Sequence, residues 1–463
     1  MTLIKSISGT RGTIGGKIGQ NLTAQDIVES TAAYAQWMLN TNQTPLVVVG
    51  QDARISGSVV SGIVGGTLRM MGISVLDLGL STTPTVEIAV AMESAGGGIV
   101  ITASHNPKEW NALKFLNHLG EFISGEDGAE ILRLVESQEI TYAGVDQLGS
   151  YQKAVGFIQK HIDIILGLDL VKTELVHEQN YKVVVDCINS TGALSVVPLL
   201  EQMGCEVIAI NDQINGRFAH NPEPLPQHLT SLIEEVKRQN ADLGIVVDPD
   251  VDRLAFVTEQ GDVFGEEYTL VAVADYVLQH RKGNTVSNLS STQALKDITL
   301  KHGGTYTASA VGEVNVVNMM KQTNAVIGGE GNGGVIFPEL HYGRDALVGI
   351  ALFMSHLAIS QKKSSQLRAQ YPNYTIIKDK IKLTPEIDID DLLEKLKNKY
   401  KNYPQNTVDG LKIYLDENWV HLRKSNTEPI IRIYTESESI PTAETLARKI
   451  KMDMSAILKG EEV

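Results

Sequence analysis

Three aspartates alternate with other residues in the segment Asp248-Pro249-Asp250-Val251-Asp252-Arg253, which directly follows a short apolar run. On a flat strand, alternate side chains share a face but stand about 6.5 Å apart, and on a helix the middle one would face away from the others. The three carboxylates can therefore meet only if the chain curls, and Pro249 favours a bend. A divalent cation removes the repulsion between crowded carboxylates, and oxygen ligands suit Mg²⁺. We predict that Asp248, Asp250 and Asp252 bind Mg²⁺, with a water or phosphate oxygen completing its coordination.

Other interpretations of this acidic segment are weaker. A solvated acidic turn is not expected directly after a buried strand, which the apolar run 245–247 predicts. A calcium-binding EF-hand needs a glycine after the third acid and a distal glutamate between two helices. An aspartyl nucleophile of the haloacid dehalogenase type would also follow a strand, but this chain offers a serine elsewhere.

That serine lies in Gly98-Ile99-Val100-Ile101-Thr102-Ala103-Ser104-His105-Asn106-Pro107, where an apolar run ends in small polar residues. The pattern is typical of a buried strand that opens into a loop at its carboxyl end, where open α/β sheets place their chemistry. Ser104 could act as a nucleophile or carry a covalent phosphoryl group, with His105 and Lys108 beside it. Taken alone, the segment fits better an ordinary strand-to-helix connection with Ser104 as the cap. The other motifs favour the chemical role.

A third loop, Gly328-Gly329-Glu330-Gly331-Asn332-Gly333-Gly334, follows another apolar run. Its glycines allow close backbone approach, and a carboxylate beside an amide offers the acceptors and donors that sugar hydroxyls need. We predict that Glu330 and Asn332 bind a sugar. In isolation, a glycine-rich hairpin explains the same residues.

Two further segments could bind anions. Arg423-Lys424-Ser425-Asn426-Thr427-Glu428-Pro429 combines two cations, two hydroxyls and an amide, which suits a phosphate. Near the amino terminus, Arg11 lies among glycines whose N–H groups could also face an anion. A polar turn and a flexible glycine turn are the alternatives for these two segments.

The elements that would position these segments repeat three times along the chain. Each repeat has an apolar strand, a helix, a second strand and a third strand that ends in one of the first three loops. The strands are 46–49, 73–78 and 99–101; 182–185, 205–210 and 243–247; and 285–289, 304–309 and 325–327. Right-handed crossovers would place the three terminal loops at equivalent edges of their sheets. We predict an α/β protein with three related βαβαβ-type mixed-sheet domains around a central cleft.

The chain changes character after about residue 371. Apolar strands at 376–383, 410–415, 419–422 and 430–434 accompany a lysine-rich amphipathic helix at 389–401. This arrangement predicts a smaller C-terminal α+β domain, with Arg423 at the end of one strand.

Composition limits the possible partners. A chain of 463 residues is too long for one core and indicates three or four domains. The net charge of −15 argues against nucleic acid or an anionic membrane surface as the main partner.

Cys187 and Cys205 cannot form a disulfide framework, so we expect a reducing cytoplasm. No signal peptide is visible, and the longest apolar run, 348–359, is too short to span a bilayer.

The chain resembles the α-D-phosphohexomutase family along essentially its whole length. Four motifs in the same order and spacing carry the resemblance: Thr102-Ala103-Ser104-His105-Asn106-Pro107, Asp248-Pro249-Asp250-Val251-Asp252-Arg253, Gly329-Glu330-Gly331-Asn332-Gly333 and Arg423-Lys424-Ser425-Asn426-Thr427-Glu428-Pro429. The resemblance implies a phosphoserine domain (1–150), a metal-binding domain (151–255), a sugar-binding domain (256–367) and a phosphate-binding C-terminal domain (368–463).

The resemblance also implies roles for individual residues. It places a phosphoserine at Ser104, Mg²⁺ on the three aspartates and that phosphate, the sugar at Glu330 and Asn332, and the substrate phosphate at Arg423, Ser425, Asn426 and Thr427. Lys114 matches a family lysine thought to assist proton transfer, and Arg11 matches an arginine near the reacting phosphate.

The implied reaction moves a phosphoryl group from Ser104 to a hydroxyl of a hexose monophosphate. The resulting hexose or hexosamine 1,6-bisphosphate is both intermediate and activator, and it turns over in the cleft before returning its other phosphate to Ser104. Mg²⁺ with Arg253 or Arg11 would neutralise the transferring group. We expect a monomer or homodimer.

The chain departs from part of the family. Bacterial phosphoglucomutase/phosphomannomutase enzymes commonly have serine and histidine where Asn332 and Gly334 stand, which leaves Lys114 or His105 as the acid or base. Glu313 replaces another frequent histidine. These features are more similar to phosphoglucosamine mutases, so we expect interconversion of glucosamine 6-phosphate and glucosamine 1-phosphate.

Two alternatives stay open. The first is a mutase for glucose or mannose phosphates on the same scaffold. The second is a non-catalytic sugar-phosphate binding protein, which would be expected to lack the nucleophile or a metal acid, yet Ser104 and all three aspartates are present.

Overall fold

The three repeats form three sheets that share one topology in the computed structural model, which describes residues 2–6, 9–382, 387–424 and 430–459. In each repeat the first strand pairs in parallel with the second and the third. A fourth strand returns antiparallel to the third. The sequence pattern ended at the third strand, so this fourth strand is an addition that makes each sheet mixed.

The first domain surrounds one mixed sheet. Its elements are β1 (Ile4–Ser6), β2 (Gly9–Thr13), α1 (Ala24–Asn40), β3 (Leu46–Gln51), α2 (Gly57–Met70), β4 (Ser74–Leu80), α3 (Thr83–Met92), β5 (Gly97–Ile101), β6 (Trp110–Leu116), α4 (Gly125–Ser137) and β7 (Tyr151–Lys153). The strand order is β1-β2-β6-β5-β3-β4-β7. Val47 and Val49 of β3 pack with α1 and α2, whereas Val48 packs with α3. The apolar run of β3 follows from this burial on both faces.

The second and third domains each contain a four-stranded sheet. The second has α5 (Phe157–Leu166), α6 (Thr173–Gln179), β8 (Lys182–Asp186), α7 (Gly192–Gln202), β9 (Glu206–Ile210), α8 (Thr230–Gln239), β10 (Leu243–Val247) and β11 (Leu254–Thr258); the third has α9 (Glu266–His280), β12 (Asn284–Asn288), α10 (Ala294–Lys301), β13 (Tyr306–Ser309), α11 (Glu313–Thr323), β14 (Ala325–Glu330), β15 (Gly334–Ile336), α12 (Ala346–Ser360) and α13 (Ser364–Arg368). Their strand orders, β11-β10-β8-β9 and β15-β14-β12-β13, match β6-β5-β3-β4 of the first sheet. The loops after β5, β10 and β14 are therefore equivalent positions.

Helix α12 lies between the second and third domains. Thirteen of its fifteen residues are buried, and its apolar side chains belong to one core that includes both domains. A helix that is apolar around its whole circumference must be covered on all sides, which explains the apolar run at 348–359. None of the helices in the described part of the chain combines the length and apolar composition that a membrane span needs.

The C-terminal domain has one five-stranded antiparallel sheet and two helices. Its elements are β16 (Thr375–Lys382), α14 (Ile389–Lys399), β17 (Gln405–Asn406), β18 (Leu411–Leu415), β19 (Asn418–Lys424), β20 (Ile430–Ser437) and α15 (Ile440–Leu458), with strand order β16-β20-β19-β18-β17. The apolar face packs on α14 and α15. The other face meets the third domain through polar contacts: Lys412 Nζ donates to the carbonyl of Leu289 at 2.8 Å. The predicted fold class is confirmed; the domain boundaries stay predictions.

Candidate active site

The serine loop (residues 102–107) meets the acidic loop (residues 248–253) across two domains. Ser104 Oγ donates a hydrogen bond to Asp248 Oδ2 at 2.7 Å. Each loop follows the third strand of its repeat, so the shared topology places both at the same edge of their sheets. The serine hydroxyl and the acidic triplet therefore lie within reach of one bridging phosphate.

Ser104 is buried and is held in an uncommon backbone conformation. Its φ of +48° is in the left-handed region, where residues other than glycine are uncommon. Its N–H donates to Thr102 Oγ1 at 2.9 Å, and its hydroxyl is 3.4 Å from His105 Nδ1. The serine is therefore positioned by its own loop as well as by Asp248.

Arg54, which the sequence did not indicate as a functional residue, stabilises the serine loop by binding its backbone carbonyls. Its Nε donates to Asp52 Oδ2 at 3.0 Å. Its four remaining N–H groups bind carbonyl oxygens at 2.6 to 2.9 Å, those of Ser104, Asn106, Pro107 and Trp110. Asp52 also accepts from Thr102 Oγ1 at 2.7 Å. One sequence feature could have indicated this role: Asp52 and Arg54 come soon after the end of β3, which is the parallel neighbour of β5.

Ser190 joins this region to the acidic loop. Its Oγ accepts from the N–H of Ala53 at 3.2 Å and donates to the carbonyl of Pro249 at 2.7 Å. Thr191 Oγ1 donates to the same carbonyl at 2.8 Å. The first turn after β8 therefore fixes the loops after β3 and β10 relative to one another.

The acidic loop curls as predicted. Asp248, Asp250 and Asp252 are fully buried, and one carboxylate oxygen of each lies within 4.8 Å of the others. Val251 has a φ of +60°, which is strained for a β-branched residue and produces the curl. Asp248 Oδ1 accepts from the N–H groups of Asp252 and Arg253, each at 3.1 Å.

The triplet fits a divalent cation. Within the described part of the chain, Asp250 Oδ1 and Asp252 Oδ1 are buried and accept no hydrogen bond. Burial, with Asp252 and Asp250 close by, raises the pKa of Asp248 well above its ordinary value. Among the described residues, ion pairs join five buried carboxylates to three cations at this site. These are Asp248, Asp250, Asp252, Glu313 and Glu330 against Lys114, Arg253 and Arg344. Two added positive charges would balance the cluster.

Lys114, on β6, reaches across the cleft to the acidic loop. Its Nζ lies 2.7 Å from Asp250 Oδ2 and 3.5 Å from Asp252 Oδ2. Burial opposes its charge, but the two aspartates outweigh burial and raise the pKa of Lys114 above its ordinary value. Thr83 Oγ1 donates to Asp250 Oδ2 at 2.6 Å. Lys114 therefore carries a proton beside the acidic triplet.

A cavity of about 390 Å³ opens beside Ser104. Its walls include the predicted residues Arg11, His105, Lys114 and Arg253, as well as Glu313. Burial and then the charge of Arg253 lower the pKa of His105 to about 2. His105 is therefore a weak base in this state.

Arg253 is poorly satisfied in the described structure. Its Nε is buried without a hydrogen-bond acceptor among the described residues. The acids that face this nitrogen are Asp248 and Asp252, at 4.0 and 3.9 Å. Its Nη1 lies 3.5 Å from Glu223. This guanidinium can therefore turn toward an anion in the cavity at little cost.

Arg344 was also missed by sequence analysis. Its Nη2 lies 2.7 Å from Asp252 Oδ2, its Nη1 lies 2.9 Å from Glu330 Oε2, and its Nε lies 2.9 Å from Glu313 Oε2. It lies in the irregular segment between β15 and α12, and its partners come from three separate segments. Only the tertiary structure brings this cluster together.

The predicted sugar ligands Glu330 and Asn332 lie next to Arg344 and bind other protein groups. Glu330 Oε1 accepts from Asn288 Nδ2 at 2.8 Å and from the N–H of Gly312 at 3.2 Å. Its Oε2 accepts from Arg344 and, at 3.3 Å, from Asn332 Nδ2. Protein donors therefore already bind both oxygens of Glu330. Sugar binding by Glu330 and Asn332 stays a prediction.

The predicted phosphate site is described only in part. Arg423 Nε donates to Asp409 Oδ2 at 2.6 Å, and Asp409 also accepts from the N–H of Val311 at 3.0 Å. Arg423 is thereby connected to the wall of the cavity, where Val311 lies. Ser425, Asn426 and Thr427 lie outside the described residues.

Comparisons with known proteins agree along the whole chain. Sequence models of phosphoglucomutase/phosphomannomutase match residues 5–141, 159–261 and 265–374 as alpha/beta/alpha domains I, II and III, and residues 380–451 as the C-terminal domain. A phosphoglucomutase/phosphomannomutase from Thermococcus kodakarensis is 36% identical over 90% of this chain and 91% of its own. A probable phosphoglucosamine mutase from Methanopyrus kandleri is 32% identical over 97% of both chains. A crystal structure of a phosphoglucomutase/phosphomannomutase family protein from Burkholderia thailandensis superposes with a TM-score of 0.86 at 25% identity, covering 99% of this chain and 98% of that one.

Proposed function

Since the chain belongs to the phosphoglucomutase/phosphomannomutase family, we propose that it interconverts glucosamine 6-phosphate and glucosamine 1-phosphate. The resemblance stated from the four motifs is thereby confirmed. The protein is a phosphohexomutase, an isomerase whose substrate is a sugar phosphate. The choice of glucosamine, the roles of individual residues, the monomeric or homodimeric state and a cytoplasmic location belong to the proposal.

The observation that carries the chemistry is the 2.7 Å hydrogen bond between Ser104 Oγ and Asp248. In the proposed cycle Ser104 bears a phosphoryl group, and a hydroxyl oxygen of the substrate attacks its phosphorus. The bond from phosphorus to Ser104 Oγ breaks as the new one forms, which gives a hexosamine 1,6-bisphosphate. That molecule turns within the cleft, and Ser104 takes its other phosphate. Mg²⁺ on Asp248, Asp250 and Asp252 would neutralise charge on the transferring group.

The side chains around Ser104 would manage the protons and charges. Lys114, whose pKa is raised, would give a proton to Ser104 Oγ as its bond to phosphorus breaks and take up the proton that the attacking hydroxyl releases. On the return transfer the two protons would move in the opposite direction. Arg11 and Arg253 face the same cavity and would neutralise the phosphate oxygens. Arg423, with Ser425, Asn426 and Thr427, would bind the remote phosphate and thereby position the reacting hydroxyl.

The preference for an amino sugar depends on the acid in the cavity wall. Glu313 is buried and faces the cavity. The family resemblance implies that it replaces a frequent histidine. Both oxygens of Glu313 accept from Arg344, but each keeps a second lone pair, which can accept from an ammonium group on the sugar. The name of the Methanopyrus relative supports the same choice. The Thermococcus relative, named for glucose and mannose phosphates and 36% identical, favours a second candidate: a mutase for those sugars.

The test of the substrate is a coupled assay of kcat/KM on the 6-phosphates of glucosamine, glucose and mannose. We expect the highest value for glucosamine 6-phosphate. Glu313→Gln should lower that value while leaving glucose 6-phosphate turnover less affected. A clear preference of the natural chain for glucose or mannose 6-phosphate would establish the second candidate instead.

The phosphoserine route is tested by Ser104→Ala. The variant should lose turnover while still binding the sugar phosphate in calorimetry, because the cavity keeps its cations. Intact mass should show one phosphoryl group on the natural chain after incubation with a hexose 1,6-bisphosphate and none on the variant. Undiminished turnover by the variant would exclude the route, and absence of turnover in the natural chain with every sugar would leave the non-catalytic binding protein.

A further inference from the structure

We propose that Arg344 is a positioning residue for the metal site, because its guanidinium fixes the orientation of Asp252. The inference rests on the proposed magnesium site and extends it to a residue outside the four motifs. It concerns the geometry of the acidic triplet and requires no assumption about the sugar.

The first argument is the way in which Arg344 holds Asp252. Its Nη2 occupies Asp252 Oδ2 at 2.7 Å, whereas Asp252 Oδ1 is buried and accepts no hydrogen bond among the described residues. One oxygen is therefore fixed by the arginine, and the other is left for a cation. Groups that orient a ligating carboxylate in this way commonly change metal affinity by about 10- to 100-fold when they are substituted.

The second argument is that the arginine is itself fixed in place. Its side chain is only 9% exposed, and it pairs with Glu313 and Glu330 at 2.9 Å each. Its own N–H donates to Glu313 Oε1 at 3.0 Å. The planar guanidinium group of arginine can bind three separate carboxylates at once, whereas the ammonium group of lysine is a compact point charge. Lysine could not replace arginine at this position.

The third argument comes from Gly334 in the glycine loop (residues 328–334). A Cβ added to Gly334 would lie 2.3 Å from Arg344 Cδ, which is closer than any real contact. The glycine here leaves the space that the Arg344 side chain fills, so residue 334 and Arg344 are matched to one another.

The experiment measures metal binding directly, on the full-length protein freed of metal by a chelator. Binding of Mn²⁺ is followed by electron paramagnetic resonance, and Mg²⁺ affinity is obtained by competition. The variants are Arg344→Lys, Arg344→Gln and Gly334→Ala, the last of which displaces the arginine without removing its charge. Arg368→Lys is the matched control, because Arg368 is half-buried and binds the carbonyl of Phe264, outside the cavity.

All three site variants should bind Mn²⁺ and Mg²⁺ about 10- to 100-fold more weakly, and the control should match the natural chain. In the mutase assay their apparent Mg²⁺ constant should rise, and excess Mg²⁺ should restore kcat, which a loss of folded protein would not permit. Circular dichroism and thermal denaturation identify a variant that fails to fold, and Gly334→Ala then decides the question.

Three outcomes would overturn the proposal. Arg344→Lys with natural affinity would show that charge alone suffices, and tighter binding by Arg344→Gln would show that the arginine only repels the cation. Natural affinity in Gly334→Ala would show that the position of Arg344 does not matter. Because Mn²⁺ binding needs no substrate, these outcomes are independent of which sugar the enzyme prefers.

Discussion

Replacing Arg54 by lysine should slow catalysis strongly, although Arg54 touches no substrate. All five of its N–H groups are donated within the first domain, one to Asp52 and four to carbonyls of the segment 104–110. Lysine has three N–H groups, so at least two buried acceptors lose their donor. At about 1.5–3 kcal/mol for each charge-assisted hydrogen bond, the loss is about 3–6 kcal/mol.

The serine loop bears most of this loss, because three of the five bonds end on its carbonyls, those of Ser104, Asn106 and Pro107. Ser104 is in a left-handed conformation that its surroundings must enforce, so the loop would relax without the arginine. A displacement of about 1 Å can cost about 100-fold in rate, and we expect at least that decrease in kcat. The measurements are kcat with saturating sugar phosphate and Mg²⁺, and the rate at which a hexose 1,6-bisphosphate phosphorylates Ser104, followed by intact mass.

Arg69→Lys is the control, since Arg69 is an exposed arginine of the same domain whose side chain donates, among the described residues, only to the carbonyl of Gly149, at 3.1 Å. It should keep natural activity. If Arg54→Lys retained kcat within about threefold of the natural chain, the argument that this guanidinium positions the nucleophile would be refuted.

Three further expectations concern the metal, the domain junctions and pH. Mg²⁺ at about a hundredfold excess over its Kd should raise the free energy of unfolding by about 2.7 kcal/mol, seen as a higher thermal midpoint. Asp250→Asn should abolish this stabilisation by Mg²⁺. If the variant were stabilised as much as the natural chain, the cation would bind elsewhere. Ser190→Ala should lower the free energy of unfolding, measured in urea, by about 1–3 kcal/mol. Because both hydroxyls bind the carbonyl of Pro249, the effects of Ser190→Ala and Thr191→Val should differ from additivity by about 0.5–3 kcal/mol. Strict additivity would argue against a shared role. Burial lowers the pKa of His421 to about 4, below the value of about 6.5 expected in the unfolded chain. The unfolded chain therefore binds the proton first, and stability should fall by about 3 kcal/mol as pH drops from about 6.5 to about 4; His421→Gln should flatten this dependence, and an unchanged slope would assign it to other groups.

The meeting of Ser104 with the acidic triplet could be predicted because both follow strands with a clear apolar pattern. Once the repeat is recognised, its topology brings equivalent loops to equivalent edges, and the family resemblance then names their chemistry. Arg54 had the same signal, since it follows β3, but its function depends on carbonyl groups whose direction no side-chain pattern reveals.

Arg344 and Glu330 show what the sequence could not provide. Arg344 lies in an irregular segment before α12, and its three partners come from distant parts of the chain. Sugar binding by Glu330 stays a prediction, and the four protein donors that bind its oxygens had no signal in the sequence. Whether a loop carboxylate faces a ligand or an internal partner depends on packing. The fourth strands and the long helix α15 were likewise outside the predicted repeat.

The position of α12 has a consequence for biosynthesis. The apolar face of the second domain that packs on this helix is synthesised well before the helix itself, because the third-domain sheet lies between them in the chain. A nascent chain that has just left the ribosome with its second sheet complete would still expose that face to water and to chaperones. Native protection of the second sheet should then arise abruptly, when residues 346–360 emerge, and a ribosome stalled earlier should carry a nascent chain that protease cuts readily.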